Sequence, residues 1–154
     1  MATRARIGMA LENGNTLSVY SHWDNYPDYN GAILLLYYNT EEKVRELLTH
    51  GDISSLGVRS GGNVAHDFDE RKYENESGFQ SICTFYHRDR GERINRAIEM
   101  TKKEMLNEEE YSYLWKDGKW WYGKQTMKRF YPLTDRKCKV TKEMREIAKR
   151  ELAE

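Results

Sequence analysis

Two short segments of the sequence concentrate side chains that can bind charged ligands or move protons. The first is YSHWDNYP, residues 20–27, whose alternate positions carry Tyr20, His22, Asp24 and Tyr26. The second is HRDRGE, residues 87–92, where five of six residues are ionisable and an apolar run precedes them. Histidine exchanges a proton near neutral pH, a carboxylate can orient its ring, and arginine holds phosphate through paired hydrogen bonds. These segments are therefore the candidate site.

A predicted β-hairpin positions the first segment. Apolar and polar residues alternate along 5–11 and again along 17–23, which is typical of half-buried strands, and a turn-forming Asn-Gly-Asn lies between them. A three-residue loop pairs Leu11 with Leu17, whereas a two-residue loop puts apolar residues opposite polar ones. Because the apolar pattern decides the register of a hairpin, we predict the three-residue loop, with Trp23 pointing into the core.

This register gathers polar side chains on the opposite face of the hairpin end: Arg4, Arg6, Tyr20, His22 and Asp24. Arg6 is expected opposite His22, and Arg4 opposite Asp24. Taken alone, Arg4 and Asp24 are most simply an exposed ion pair worth about 0.2–1 kcal/mol. The cluster as a whole favours a binding site because it leads directly into a Tyr-Pro turn.

The second segment follows a strand predicted over 79–86. Ligand sites often lie where a buried strand delivers polar groups to an edge. His87, Arg88 and Arg90 are therefore candidate ligand contacts, and Asp89 is a candidate for orienting a histidine ring. The alternative is a charged turn that begins the next helix. The letters HRD also occur in kinase catalytic loops, but the sequence has no DFG and no glycine-rich strand pair.

Four segments predict helices. The apolar run 32–38 favours a short buried helix with Asn30 as its N-cap, and Thr40 caps a second helix that Gly51 ends. Two further segments have the spacing of amphipathic helices, 94–105 and the C-terminal 140–154, and Thr141 is the predicted cap of the C-terminal helix. The C-terminal helix is interpreted as a packing element or as a contact between copies of the chain.

An aromatic hairpin is predicted around Asp117-Gly118, a strong two-residue turn signal. It pairs Trp115 with Trp120 and Tyr113 with Tyr122, so one face carries four large aromatic side chains. Core packing is the commoner meaning, and a platform for stacking a nucleobase is the alternative. The basic residues that follow the hairpin either meet phosphates or form an ordinary basic surface: Lys124, Lys128 and Arg129.

Residues 57–78 form a long, polar, glycine-rich loop without a sustained period, and such loops are usually functional or disordered. Arg59–Gly62 could present backbone N–H groups to a phosphate but lacks the spacing of a P-loop. His66, Asp67 and Asp69 resemble half of a metal site, although a solvated acidic loop is the commoner meaning. Their spacing relative to His22 and His87 matches no known ligand pattern, so we predict no metal and no cofactor.

Composition limits the class of protein. The 154 residues suit a single domain spanning 1–154, and 25 Lys plus Arg balance 25 Asp plus Glu, which argues against broad nucleic-acid binding. Cys83 and Cys138 form no CxxC pair and are expected to be reduced thiols. The N-terminus lacks the apolar stretch of a signal peptide, and the longest apolar run is too short to span a bilayer, so we expect a cytoplasmic protein without membrane attachment. The predicted fold is α+β: an antiparallel sheet of about five strands, two hairpins plus one central strand, packed with three to four helices.

Five segments together resemble a family of small proteins encoded by tailed bacteriophages: TRARIG, YSHWDNYP, NGAILLLYYNTEEKVRELLTHGDISSLG, FYHRDRGE and EEYSYLWKDGKWWYG, within roughly residues 3–123. In the usual pattern the second segment contains His-Trp-Asp-Gly-Tyr-Pro. Asn25 replaces that glycine here, and asparagine is the next-best residue if the position needs a positive φ. The family is known mostly as hypothetical proteins. The resemblance implies an accessory phage protein in the host cytoplasm, and by analogy one that counters host defence or takes over host machinery.

Three functions follow from these residues. The first is binding and sequestration of a nucleotide or a nucleotide-derived defence signal by the two segments, through Arg4, Arg6, Tyr20, His22, Asp24, Tyr26, His87, Arg88 and Arg90. The second is hydrolysis of a phosphodiester or glycosidic bond, with His22 and His87 as base and acid and Asp24 or Asp89 orienting a ring. The third is inhibition of a host protein through the aromatic hairpin. A second copy of the chain is a further candidate partner.

Overall fold

The structure is a computed structural model that describes residues 2–61 and 73–154. His66, Asp67, Asp69 and Gly62 lie outside the described residues, so the metal-site and phosphate-loop hypotheses that used them are untested. The strands are β1 Ala5–Ala10, β2 Thr16–Trp23, β3 Ile53–Ser55, β4 Thr84–Phe85, β5 Ile98–Met100, β6 Tyr111–Lys116, β7 Lys119–Lys124 and β8 Tyr131–Pro132. The helices are α1 Ala32–Tyr37, α2 Glu41–Thr49, α3 Tyr86–Arg90, α4 Lys102–Glu108 and α5 Lys142–Leu152, and a π-helical turn spans Pro27–Gly31.

The fold is α+β, but the predicted antiparallel sheet of about five strands is wrong. The described strands form one mixed sheet of 8 strands in the order β4-β3-β2-β1-β6-β7-β8, with β5 paired to β2. Two pairs are parallel, β1 with β6 and β2 with β3. Parallel strands are joined by long connections, so a local turn motif in the sequence cannot predict that they pair. Strands β3, β4, β5 and β8 are also too short for an apolar alternation to be visible.

The first hairpin has the predicted loop length of three residues but a different register, because Leu11 N–H donates to the Asn15 carbonyl oxygen at 2.8 Å and closes a loop over 12–14. Ala10 pairs with Thr16 and Met9 with Leu17, so the predicted pairing of Leu11 with Leu17 is wrong by two residues. The side chains of Asn13 and Asn15 donate hydrogen bonds to Glu99, 86 and 84 positions away, and these tertiary contacts hold the loop in this register. Because side chains alternate with a period of two, a two-residue shift keeps every side chain on its predicted face.

The end of the hairpin departs further from prediction. Trp23 was expected in the core, but its side chain is 44% exposed. The positive φ belongs to Asp24, at 60°, and not to Asn25. Asn25 is buried instead, and its amide donates to the carbonyl oxygens of Thr3 and Ser21 at 2.8 and 3.0 Å. Asn25 therefore links β2 to the segment that precedes β1 through buried hydrogen bonds.

Asn30 does not cap α1, contrary to prediction. Its amide donates to the Trp23 carbonyl oxygen and to the Asn25 side chain, both at 2.8 Å, and α1 has no side-chain cap. The caps predicted for the other two helices are confirmed. The Thr40 hydroxyl accepts a hydrogen bond from the Lys43 backbone at the start of α2, and Thr141 caps α5 in the same way.

Two predicted elements in the second half of the chain are wrong. The strand predicted over 79–86 is reduced to Thr84–Phe85, and its continuation is the short helix α3. The amphipathic helix predicted over 94–105 is divided between β5 and α4, because Thr101 caps a new helix there with a complete capping box. The HRDR residues consequently lie on a helix that follows β4 and not on a strand end.

The aromatic hairpin has the predicted register. Trp115 pairs with Trp120 and Tyr113 with Tyr122. Trp120 is buried, its ring meets that of Trp115 edge-on at 5.5 Å, and its indole N–H donates to the Tyr38 carbonyl oxygen. This face of the sheet packs in the main core with residues of α1, α2 and α5. In the described part of the chain, no helix has both the length and the apolar character needed to cross a membrane.

Candidate functional site

The structure brings part of the two predicted segments together at the end of the first hairpin. Tyr20 and His22 lie on β2, on the sheet face that points away from the main core. Arg4 precedes β1, and Arg90 is the last residue of α3. The positive charges of both arginines act on the His22 ring. We call Arg4, Tyr20, His22 and Arg90 the hairpin-end cluster.

Tyr20 and His22 form the hydrogen-bonded pair within this cluster. The Tyr20 hydroxyl lies 2.5 Å from His22 Nδ1, as two positions on one face of a strand allow. Burial raises the pKa of the Tyr20 hydroxyl, although the positive charge of Arg4 and a hydrogen bond with it act in the opposite direction. Tyr20 therefore keeps its proton, and we assign its hydroxyl as the hydrogen-bond donor and His22 Nδ1 as the acceptor. The imidazole proton is then on Nε2, which leaves this N–H available to an acceptor.

The charge state of His22 is set by its neighbours. Burial lowers the pKa of the imidazole, and the positive charges of Arg4 and Arg90 lower it further. The ring is consequently neutral at pH 7. An anion bound between the two arginines would offset their charge and raise the pKa again, so His22 couples anion binding to proton uptake.

Two exposed aromatic side chains flank the cluster. Trp23 meets the His22 ring edge-on, with 4.6 Å between ring centroids, and Tyr26 is 45% exposed in the turn that follows. Sequence reasoning missed Trp23 as a surface residue. The turn-forming run directly after Trp23 was the available signal, because it marks this residue as the end of the strand.

Arg6 is not available to a ligand. Its side chain is buried, and its guanidinium donates to the Ser18 hydroxyl at 3.0 Å and to the Ser18 carbonyl oxygen at 2.6 Å. Burial lowers the pKa of the guanidinium, while the charges of Asp52, Glu108 and Glu109 act to raise it. Arg6 therefore has a structural role: it links β1 to β2 through its hydrogen bonds with Ser18.

Arg88 and Asp89 also belong to the fold and not to the cluster. All five N–H groups of the Arg88 guanidinium are used: Nε and Nη2 hold the Asp89 carboxylate in a bidentate pair, and the remaining bonds reach the carbonyl oxygens of Ser60, Gly61 and Cys83. Asp89 additionally accepts from the Phe85 backbone at 2.8 Å. This clamp joins α3 to the segment at Ser60–Gly61.

His87 and Asp24 are exposed and take no part in a shared acid–base network with His22. His87 Nδ1 lies 2.8 Å from the Glu92 carbonyl oxygen, which follows the C-terminus of α3. Asp24 has the left-handed backbone described above, and in the described part of the chain no hydrogen bond or ion pair joins it to Arg4 or His22.

Within residues 2–61 and 73–154, no group of three His, Cys, Asp or Glu side chains is arranged to hold a metal ion. Comparisons of the chain with protein-family models, with curated proteins and with solved structures found no match. The case for a function therefore depends on the geometry and chemistry of the hairpin-end cluster.

Proposed function

We propose that the protein binds a nucleotide-type small molecule, one carrying both a phosphate and an aromatic base, at the hairpin-end cluster. One arrangement supports this proposal. The hydrogen-bonded Tyr20–His22 pair lies within reach of the positive charges of Arg4 and Arg90, and the exposed ring of Trp23 contacts His22. Arg4, Arg90 and the Nε2–H of His22 supply donors for phosphate oxygens, and Trp23 and Tyr26 supply flat apolar surface for a base.

The cations of the cluster are free to change partners. Arg4 is exposed, and Arg90 contacts the Glu92 carboxylate at 2.9 Å while both side chains are about half exposed, at 51% and 48%. Exposed ion pairs of this kind are worth at most about 1 kcal/mol, so a phosphate can replace the Glu92 carboxylate at small cost. The Arg90 guanidinium also stacks over the Tyr86 ring, at 4.9 Å, which fixes its position without using its donors.

Binding without conversion of the ligand is the function favoured by this geometry. His22 is a single proton-exchanging group, and neither Asp24 nor His87 is bonded to it. A role in the host cytoplasm, and the idea that the ligand is a nucleotide-derived defence signal, rest on the motif resemblance to phage accessory proteins alone. The ligand panel below includes such signals for that reason.

Thermal shift measurements with a ligand panel test the proposal. The panel contains inorganic phosphate, AMP, ATP, cyclic dinucleotides and ADP-ribose. We expect at least one nucleotide to raise the melting temperature, because a ligand that binds only the folded state stabilises it. Arg4→Ala removes a charge-assisted contact and should weaken binding by about 10- to 100-fold.

Arg45→Ala is the matched control, because Arg45 is an exposed arginine on α2, the helix that packs in the main core. Its affinity should equal that of the unmodified protein. Heating the complex and analysing the released ligand separates the alternatives: intact ligand supports binding, and converted ligand supports the hydrolase. If no nucleotide changes the melting temperature, the proposal is wrong.

A further inference from the structure

A second concave surface lies on the sheet face opposite the main core, between α4, the β6–β7 hairpin and residues 125–130. The cleft has a volume of about 830 Å³. Five basic side chains line it: Lys102, Lys103, Lys116, Lys128 and Arg129. Among the described residues that line the cleft, none is acidic. Since the whole chain has a formal net charge of zero, this is a local concentration of positive charge. We call it the basic cleft.

The floor of the basic cleft is apolar and largely aliphatic. Leu106 of α4 and Leu114 of β6 are buried beneath it, and Met127 and Phe130 are half-buried at its side. A volume of this size is within the range of about 300–1,000 Å³ that is typical of ligand sites. The cleft therefore combines a charged rim with space for an apolar group.

Trp121, the large aromatic residue of the cleft, is already engaged. Its indole N–H donates to the Lys116 carbonyl oxygen at 3.1 Å, which fixes the ring. The ammonium groups of Lys119 and Lys116 lie 4.6 and 5.6 Å from the ring centroid. A nucleobase stacking on this ring would have to displace a lysine from it. This arrangement favours an aliphatic guest over a base.

We propose that the basic cleft docks an acidic segment of a partner protein, which inserts an aliphatic side chain between the lysines. Carboxylates of the segment complement the five cations of the rim, and the aliphatic anchor covers Leu106, Leu114 and Met127. The rim is mainly lysine, whereas sites built for bidentate phosphate recognition favour arginine. A short amphipathic helix meets these requirements by the helix-in-groove mode. This proposal is independent of the nucleotide site at the hairpin-end cluster.

Fluorescence anisotropy with labelled probes tests the docking proposal on the full chain. The first probe is a synthetic 12-residue helical peptide of Glu and Ala with two Leu anchors one turn apart. The second has both anchors replaced by Ser, and the third is a labelled 12-nucleotide oligo-dT. We expect the Leu peptide to bind at low salt and the Ser peptide to bind at least about tenfold more weakly, since an anchored apolar group supplies most of the affinity at such surfaces.

Two charge-reversal variants test whether the Leu peptide binds in the basic cleft. Lys103→Glu and Lys128→Glu lie on separate elements, both are exposed, and each should weaken the Leu peptide by about tenfold. Lys142→Glu is the matched control, because Lys142 is also an exposed lysine in the first turn of a helix but lies outside the cleft. A glutamate in a first turn is favourable for the helix, so Lys103→Glu and the control should both fold.

Each remaining outcome would overturn the proposal. Equal binding of the Leu and Ser peptides shows that charge alone attracts the probe. Tighter binding of oligo-dT, lost in Lys103→Glu and Lys128→Glu, assigns the cleft to single-stranded nucleic acid. Equal weakening by Lys142→Glu means that net charge and not the cleft is responsible. Absence of peptide binding at low salt removes the docking site, and none of these results bears on nucleotide binding at the hairpin-end cluster.

Discussion

Replacing Arg88 by alanine distinguishes most sharply between a ligand residue and a structural clamp. The sequence predicts Arg88 as a ligand contact, whereas the structure uses all five of its N–H groups internally. The clamp is well shielded from water, with the Arg88 side chain 11% exposed and that of Asp89 0% exposed. Arg88→Ala therefore removes the bidentate Arg88 contact from the buried Asp89 carboxylate and frees three backbone carbonyl groups.

The magnitude follows from that burial. Removing one partner of a buried ion pair costs about 3–5 kcal/mol, because the other member loses its charge-assisted hydrogen bonds while it stays shielded from water. For a chain of about 150 residues, each kcal/mol lowers the melting temperature by about 2–4 °C. We therefore expect Arg88→Ala to melt on the order of 10 °C below the unmodified protein. Arg88→Ala/Asp89→Asn should recover part of this loss, because a neutral amide is less costly to bury than a carboxylate.

Differential scanning calorimetry measures these changes, and Arg90→Ala is the control from the same helix. The Arg90–Glu92 pair is about half exposed, so its loss should change the free energy of unfolding by less than about 1 kcal/mol. The clamp account is refuted if Arg88→Ala keeps its melting temperature but loses nucleotide binding. That result would return Arg88 to the list of ligand residues.

Three further predictions concern the hairpin end. Asn25→Gly should lower the free energy of unfolding by about 1–3 kcal/mol in urea titrations, because Asn25 has no positive φ and its buried side-chain amide has three hydrogen-bond partners. Unchanged stability would contradict a structural role for this amide. Trp23→Ala should melt within about 2 °C of the unmodified protein, because the ring is 44% exposed, but should weaken nucleotide binding measured by calorimetric titration; unchanged affinity removes the stacking surface. The folded-state pKa of His22 lies below its unfolded value, so the folded state takes up its proton less readily than the unfolded chain. Its stabilising contribution is therefore present above about pH 6.5 and is lost as the pH falls through the folded pKa. Stability measured from pH 7.5 to 5.5 should fall less in His22→Gln, and an equal fall in both proteins would refute the assignment.

Local patterns predicted those features that are fixed by neighbours in sequence. The Asp117-Gly118 turn set the register of β6 and β7, and Thr40 and Thr141 cap helices because a cap bonds the backbone three residues ahead. Alternation along β1 and β2 assigned side chains to the correct faces even though the register was wrong by two residues. These features require no knowledge of distant contacts.

The features that the sequence did not predict depend on contacts between residues that are far apart in the chain. Strand β1 pairs in parallel with β6, which arrives from the second half of the chain. Arg88 is a clamp only because Ser60 and Gly61 come within reach of its guanidinium. Trp23 is exposed at the end of β2, where Asp24 has a positive φ and Asn25 is held by tertiary hydrogen bonds. The four residues of the hairpin-end cluster were all in the predicted set, whereas Arg6 and Arg88 of that set are hydrogen-bonded inside the fold.

The most direct test of the nucleotide site is the protonation of His22 itself. Long-range ¹H–¹⁵N spectra resolve the imidazole nitrogens of the four histidines, and His22→Gln identifies the His22 signals. Without ligand, we predict a neutral ring protonated on Nε2 at pH 7, with a pKa below its ordinary value. With a saturating nucleotide from the panel, the pKa of His22 should rise, because the phosphate offsets the charges of Arg4 and Arg90. A nucleotide that binds while the His22 signals and pKa stay unchanged would contradict the account.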